Sequence, residues 1–226
     1  MTGLPNWRSK SWPLQTYFEP GERFSYSGEG FAGLQAAVER KAGEPLDAIA
    51  SRLVFQPLRM FNSGYVWRES FEANHAASHD DTLKPMEKFK PICANAAFSL
   101  HTTPEDYGRF LEAVMSGEGL GPATARLWLE PAAHPPIDGF LSLDESDPLP
   151  LTSHGDSAGG LSLGAMPSSI GEPMTRLGRT PLGGRRMDAP FVAFMNSENG
   201  FAIVPKIARI AVPGYHPSLR WLSLGE

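Results

Sequence analysis

Apolar residues recur at helical spacing in four stretches of the chain and form an unbroken run in a fifth. Phe31, Leu34 and Val38 share one face of a segment near residues 30–42, and Gly43 stands where a helix would stop. Leu46, Ile49, Ala50 and Leu53 repeat the pattern until Pro57 breaks it, so the spacing predicts two helices packed as a short-linked pair. Tyr65-Val66-Trp67 then suits a brief strand.

The sharpest local signal is Thr103-Pro104-Glu105-Asp106. It combines a capping hydroxyl, a proline at the first helical position and two acids where the helix dipole favours them. Tyr107, Phe110, Leu111, Val114 and Met115 give the helix an apolar face, and Gly117 closes it. Phe191-Val192-Ala193-Phe194-Met195 reads as a central strand covered on both faces. A Ser197-Glu198-Asn199-Gly200 turn follows, and Ile203, Val204, Ile207 and Ile210 predict an amphipathic helix up to Pro213, with Pro205 early enough to be tolerated. Between Glu130 and Pro190 the periodicity fades and prolines and glycines thicken.

Composition narrows the function classes. The 226 residues, 41% of them apolar, suffice for a sizeable core in one large domain or two small ones. A net charge of -5 with scattered Lys and Arg gives no basic stripe for phosphates, which argues against a nucleic-acid partner. No apolar run approaches a membrane span, and Met1-Thr2-Gly3-Leu4-Pro5 lacks the regions of a signal peptide, so the expected location of the chain as written is cytoplasmic and off the membrane. The lone Cys93 excludes an internal disulfide and a cysteine-based metal site, and is expected to be a small buried apolar side chain. His75 and His79 have the i, i+4 spacing of zinc ligands, but Ala76 stands where His-Glu-x-x-His needs glutamate; neither metal nor cofactor is expected, and a solvated loop is. Asp80-Asp81 and Asp144-Glu145 are read as solvated acid pairs.

Several segments together resemble the serine β-lactamase-like family that includes class C β-lactamases, penicillin-binding proteins and family VIII carboxylesterases. Thr2-Gly3-Leu4-Pro5-Asn6 is similar to the tail of that family's His-Thr-Ser-Gly-Leu loop, and Pro20-Gly21-Glu22-Arg23-Phe24-Ser25-Tyr26-Ser27 to its Pro-Gly-x-x-Phe-x-Tyr-Ser segment. Ala97-Phe98-Ser99-Leu100-His101-Thr102-Thr103, with Asp106 and Phe110, is similar to its Ser-Thr-x-x-Asp-x-x-x-Phe helix start. The strand and turn at Phe191 to Gly200 resemble its last strand and closing helix, while Ile137 to Ala189 matches poorly.

This resemblance implies an α+β, β-lactamase/transpeptidase-like fold: an antiparallel sheet flanked by helices, with a helical lobe. Residues 1–136 would form mainly the lobe, 137–189 an irregular segment, and 190–226 the last strand and closing helix. It implies hydrolysis of an ester or amide, whether β-lactam, peptide or carboxylic ester, through an acyl-serine. That chemistry uses a Ser-x-x-Lys, a Tyr-x-Asn and a Lys-Thr-Gly or His-x-Gly. Tyr26-Ser27-Gly28 matches the second element, which makes Tyr26 the expected proton carrier, its phenol activated by a neighbouring lysine. Gly28, expected at the substrate site, replaces an asparagine common among relatives, so one substrate-binding amide is missing.

The other two elements fit less well. The lysines are Lys10, Lys41, Lys84, Lys88, Lys90 and Lys206, and Trp7, Val38, Asp81, Pro85, Glu87 and Ile203 stand three positions before them, so no Ser-x-x-Lys exists here. The resemblance therefore implies a nucleophile helix upstream of Met1, and a chain truncated at its N-terminus and inactive alone. His154-Gly155-Asp156 is like His-Trp-Gly-Asp with one residue lost; it offers His154 as a catalytic candidate and Gly155 as a substrate-binding one, against a loop histidine as the plain alternative. Ser157 lies in Gly155-Asp156-Ser157-Ala158-Gly159, a Gly-x-Ser-x-Gly pattern, so an α/β-hydrolase esterase is a rival reading; the acidic, proline-broken segment before it lacks the strand such an elbow needs. A non-catalytic binding module and a gene relic of the same fold are further alternatives. A sheet edge left open by missing strands would favour self-association.

Overall fold

The computed structural model describes residue 19 and residues 27–129, 173–176, 180–182, 185–187 and 191–211. Helix α1 spans Gly28–Ala42, capped at its start by the Ser27 hydroxyl and closed by Gly43 in the left-handed conformation (φ 74°), as the sequence predicts. Its packing face is different from the expected one: Phe31 and Leu34 are 48% and 57% exposed, and the buried residue is Gln35.

Helix α2, Leu46–Ala50, passes directly into a wider π-helical turn over Ser51–Phe55, closed by Gln56 N–H donating to the Ser51 carbonyl at 2.9 Å. That widening rotates the inward face. Ile49, Ala50 and Phe55 are buried while Leu53, expected inside, is exposed. Residues 65–67 are not the expected strand: Gly64 makes an antiparallel bridge with His101 through backbone bonds of 2.9 and 2.8 Å, Trp67 N–H donates to the Pro91 carbonyl at 2.8 Å, and a 3-10 turn, Glu69–Asn74, follows.

Helix α3, Pro104–Ser116, has the expected Thr103 cap, with Pro104 in its first turn and Gly117 as its left-handed stop (φ 73°). Glycine is required at 117 twice over, because a Cβ would also stand 2.8 Å from that of Ala125 in α4, Pro122–Leu129. Tyr107, Leu111 and Val114 are buried, with Phe110 and Met115 packed beside them. Leu100 and Phe110 also touch the Ala50, Phe55 and Met60 cluster, so α2 and α3 share one core.

Among the described residues four short strands follow: β1 (Pro173–Arg176), β2 (Thr180–Leu182), β3 (Arg185–Met187) and β4 (Phe191–Phe194). β1 pairs antiparallel with β4, and β2 with β3. Val192 and Phe194, two apart and so on one face of β4, pack on Tyr107 and Leu111 of α3. Among the described residues β1 is the only strand beside β4, which is therefore not seen as a central strand. A 3-10 turn over Glu198–Ile203 leads into α5, Val204–Ala211. The inward side of α5 is Val204, Pro205 and Ala208, whereas Ile203 and Ile210 of the expected face are exposed. Cys93 is exposed rather than buried.

Candidate functional site

Of the residues that the sequence marks for chemistry, Gly28 is described, whereas Tyr26, His154, Gly155 and Ser157 lie outside the described residues. Gly28 is the first residue of α1, directly after the Ser27 cap, whose Oγ accepts from Gly30 N–H at 2.9 Å. A Cβ at Gly28 would meet the Ala97 Cβ at 3.8 Å, an ordinary contact, so the position has room for a side chain. The start of α1 thus faces the loop at 94–99.

A ladder of polar side chains fixes that loop. Gln35, one and a half turns further along α1 than Ser27's first partner, donates to the Ala94 carbonyl at 3.0 Å and accepts from Ala96 N–H at 2.9 Å. Asn95, almost fully buried, turns the chain by accepting from Ala97 N–H at 2.8 Å. Ser99 is wholly buried; its hydroxyl accepts from Asn95 N–H at 2.7 Å and donates to the Tyr65 carbonyl at 2.8 Å. Each buried polar atom in this run has a partner, which is the condition for such a run to hold one arrangement.

The next rung is Asp106 at the head of α3, 1% exposed. One carboxylate oxygen accepts from Asn62 N–H at 2.8 Å and the Ser63 hydroxyl at 3.0 Å, and the other from Arg109 at 3.0 Å. Ser63 in turn shares a 2.7 Å bond with Thr102. Asp106 is therefore more than a first-turn acid favoured by the helix dipole: it ties the turn after α2 to α3. The motif segment 97–110 held the signal for this, since serine, threonine and aspartate recur there at fixed spacing. The long-range partners at Gln35, Asn62 and Tyr65 carried no such signal.

Other titratable groups nearby are structural. Burial first, then Tyr107 and Asp47, pushes the Tyr65 phenol above its ordinary pKa, so it stays protonated. Asp47 accepts from Tyr65 N–H at 2.6 Å and pairs with Arg68 at 3.1 Å. His75 and His79 do not share a helix face. His75 follows the Glu69–Asn74 turn in an irregular segment where Ala76 and Ala77 are exposed, as expected of a loop, but its ring is partly buried against Trp67, while His79 forms a backbone bridge to Ser197. Asp80 caps its own turn, accepting from Thr82 and Lys84. Among the described residues no three His, Cys, Asp or Glu side chains are grouped to hold a metal, and no helix is long and apolar enough to cross a membrane.

Comparison with known proteins sets this framework in a family. A family model described as Beta-lactamase matches residues 5–164, more than half of the 226. Among solved structures, a penicillin binding protein from Bacillus halodurans is similar at 20% identity and a TM-score of 0.65, over 85% of this chain and 58% of that one. The D-amino acid amidase of Ochrobactrum anthropi SV3 is similar at 21% identity and a TM-score of 0.55, over 80% of this chain and 51% of its own. A β-lactamase from Sulfitobacter sp. EE-36 is similar at 14% identity, with a TM-score of 0.52 over 76% of this chain and 54% of that one. This chain spans less than two thirds of each of these structures, and at such identities they establish the fold alone. No curated protein matches the chain. The fold is β-lactamase/transpeptidase-like, and the chain belongs to the β-lactamase family.

Proposed function

We propose that this chain supplies the helical-lobe side of a serine hydrolase site that opens small-molecule esters or amides through an acyl-serine. In this reading Tyr26 takes the serine proton and returns it to the leaving group, a general acid and base in one residue. Support comes from the start of α1. The Ser27 cap fixes where the helix begins, Gln35 ties it to the 94–97 loop, and the Tyr26-Ser27-Gly28 segment falls inside the matched family region. Gly28 leaves room where an amide-bearing side chain would otherwise sit, so the reading favours substrates that need no amide contact there.

The acylating pair is not in this sequence, since no lysine follows a serine by three positions. The chain alone is therefore expected to show no stoichiometric burst with a chromogenic cephalosporin or a p-nitrophenyl ester. Rapid-mix absorbance and intact-mass measurement of the acylated chain check this. A burst that disappears in Ser157→Ala would replace this reading with the α/β-hydrolase one.

A further inference from the structure

Next to the polar ladder, around His101, lies an aromatic cluster that contains two histidines. The His101 ring is stacked at 14° to both Phe71 and Phe89, with centroids 6.2 and 6.1 Å away. Trp67 meets His101 edge-on at 5.4 Å and His75 at 5.2 Å, and the two imidazoles are 6.0 Å apart. His101 Nδ1 lies 3.1 Å from the Ser99 carbonyl and Nε2 3.2 Å from that of Phe89, so a neutral ring donates to one of the two. His75 is held by packing alone among the described residues: its Nδ1 is buried without a hydrogen-bond partner, as is Trp67 Nε1.

The charged groups around the cluster are arranged against a cation at position 75. Lys88 and Lys90 both pair with Glu72, and the Lys90 ammonium sits 5.1 Å over the Trp67 ring. Glu69 lies toward Lys90, and Arg68 is 5.7 Å above Phe71. Among the described residues Glu72 is thus the carboxylate acting on His75, already shared by two ammoniums, whereas His101, Lys88 and Lys90 all oppose a positive charge there.

We propose that His75 is an acid-sensing latch: on gaining a proton it forces the Glu69–Asn74 turn away from the Lys88–Lys90 segment and loosens the shelf that carries Ser99. Burial, then His101 and the two lysines, holds the His75 pKa below its ordinary value, with Glu72 acting the other way. A depressed folded value means that the unfolded chain takes up the proton more readily. The latch is therefore closed above the ordinary histidine pKa of about 6.5 and is lost as the pH falls through the lower folded value.

The test is an NMR titration of the His75 imidazole in the full chain, combined with amide-exchange protection of residues 69–75 and 88–90. The expected midpoint lies below about 6.5, with protection in both segments falling roughly tenfold or more through the same range. His75→Phe should abolish that fall, and Glu72→Gln, which removes the opposing carboxylate, should move the midpoint lower still. Should His75→Phe fail to fold, the Glu72→Gln shift decides the matter. A midpoint at or above about 6.5, protection indifferent to the titration, or an unmoved midpoint in Glu72→Gln would overturn the proposal.

Discussion

Helices α1 and α3 begin and end in the same way, with a hydroxyl cap in front and a left-handed glycine behind, yet they meet the rest of the protein oppositely. α3 buries the apolar face that its spacing announces, against Phe55's neighbours on one side and Val192 and Phe194 on the other. α1 turns Phe31 and Leu34 outward and buries Gln35. Caps are decided within four residues, by hydroxyls, carboxylates and glycine conformations, and can be read from the chain directly. Facing is decided by what lies across the interface, and for Gln35 the partners are 59 and 61 residues away.

That contrast is open to measurement, and the largest effect belongs to Asp106. Asp106→Ala strips three donors of their acceptor inside the fold, and should destabilise the chain by about 3 kcal/mol or more in denaturant unfolding. Asp106→Asn, which keeps the shape and one acceptor oxygen, should lose less. Equal losses in the two variants would mean that packing rather than hydrogen bonding carries the site.

On α1 the expected order inverts the hydrophobic scale. Gln35→Ala should cost about 1–3 kcal/mol, because the partly buried Ala96 N–H and Ala94 carbonyl both lose a partner. Phe31→Ser and Leu34→Ser should each fall within about 0.5 kcal/mol of the unchanged chain, the usual range for exposed positions. A loss above about 2 kcal/mol at Phe31 would show that this face is covered in solution.

The same logic explains where sequence reading reached and where it stopped. The family motifs marked the 97–110 segment, and the Thr103 cap fixed the start of α3, because those signals are local. Leu53 was expected inside and lies outside, since a π-helical turn at Ser51–Phe55 shifts the register of every later side chain by part of a turn. The expected strand at 65–67 is replaced by a bridge at Gly64 and one bond from Trp67 N–H to the Pro91 carbonyl, two different partners that build no ladder before the Glu69–Asn74 turn. At α5 only Val204 of the expected face is buried, beside Pro205 and Ala208, while Ile203, which ends the preceding 3-10 turn, and Ile210 are exposed. Cys93 gave no cue beyond its residue type, and it lies beside Ile92, itself 90% exposed.

The central claim, that this chain brings the proton-carrying tyrosine of an acyl-serine site, is tested most directly by joining it to a Ser-x-x-Lys-bearing N-terminal segment from a β-lactamase-family relative. Turnover of a p-nitrophenyl ester by that hybrid is then compared with the same hybrid carrying Tyr26→Phe. The substitution keeps the ring and removes only the hydroxyl. The account predicts a fall in kcat of at least about a hundredfold at a nearly unchanged melting temperature, the loss expected of a proton-transfer residue. Full activity in the Tyr26→Phe hybrid would contradict it.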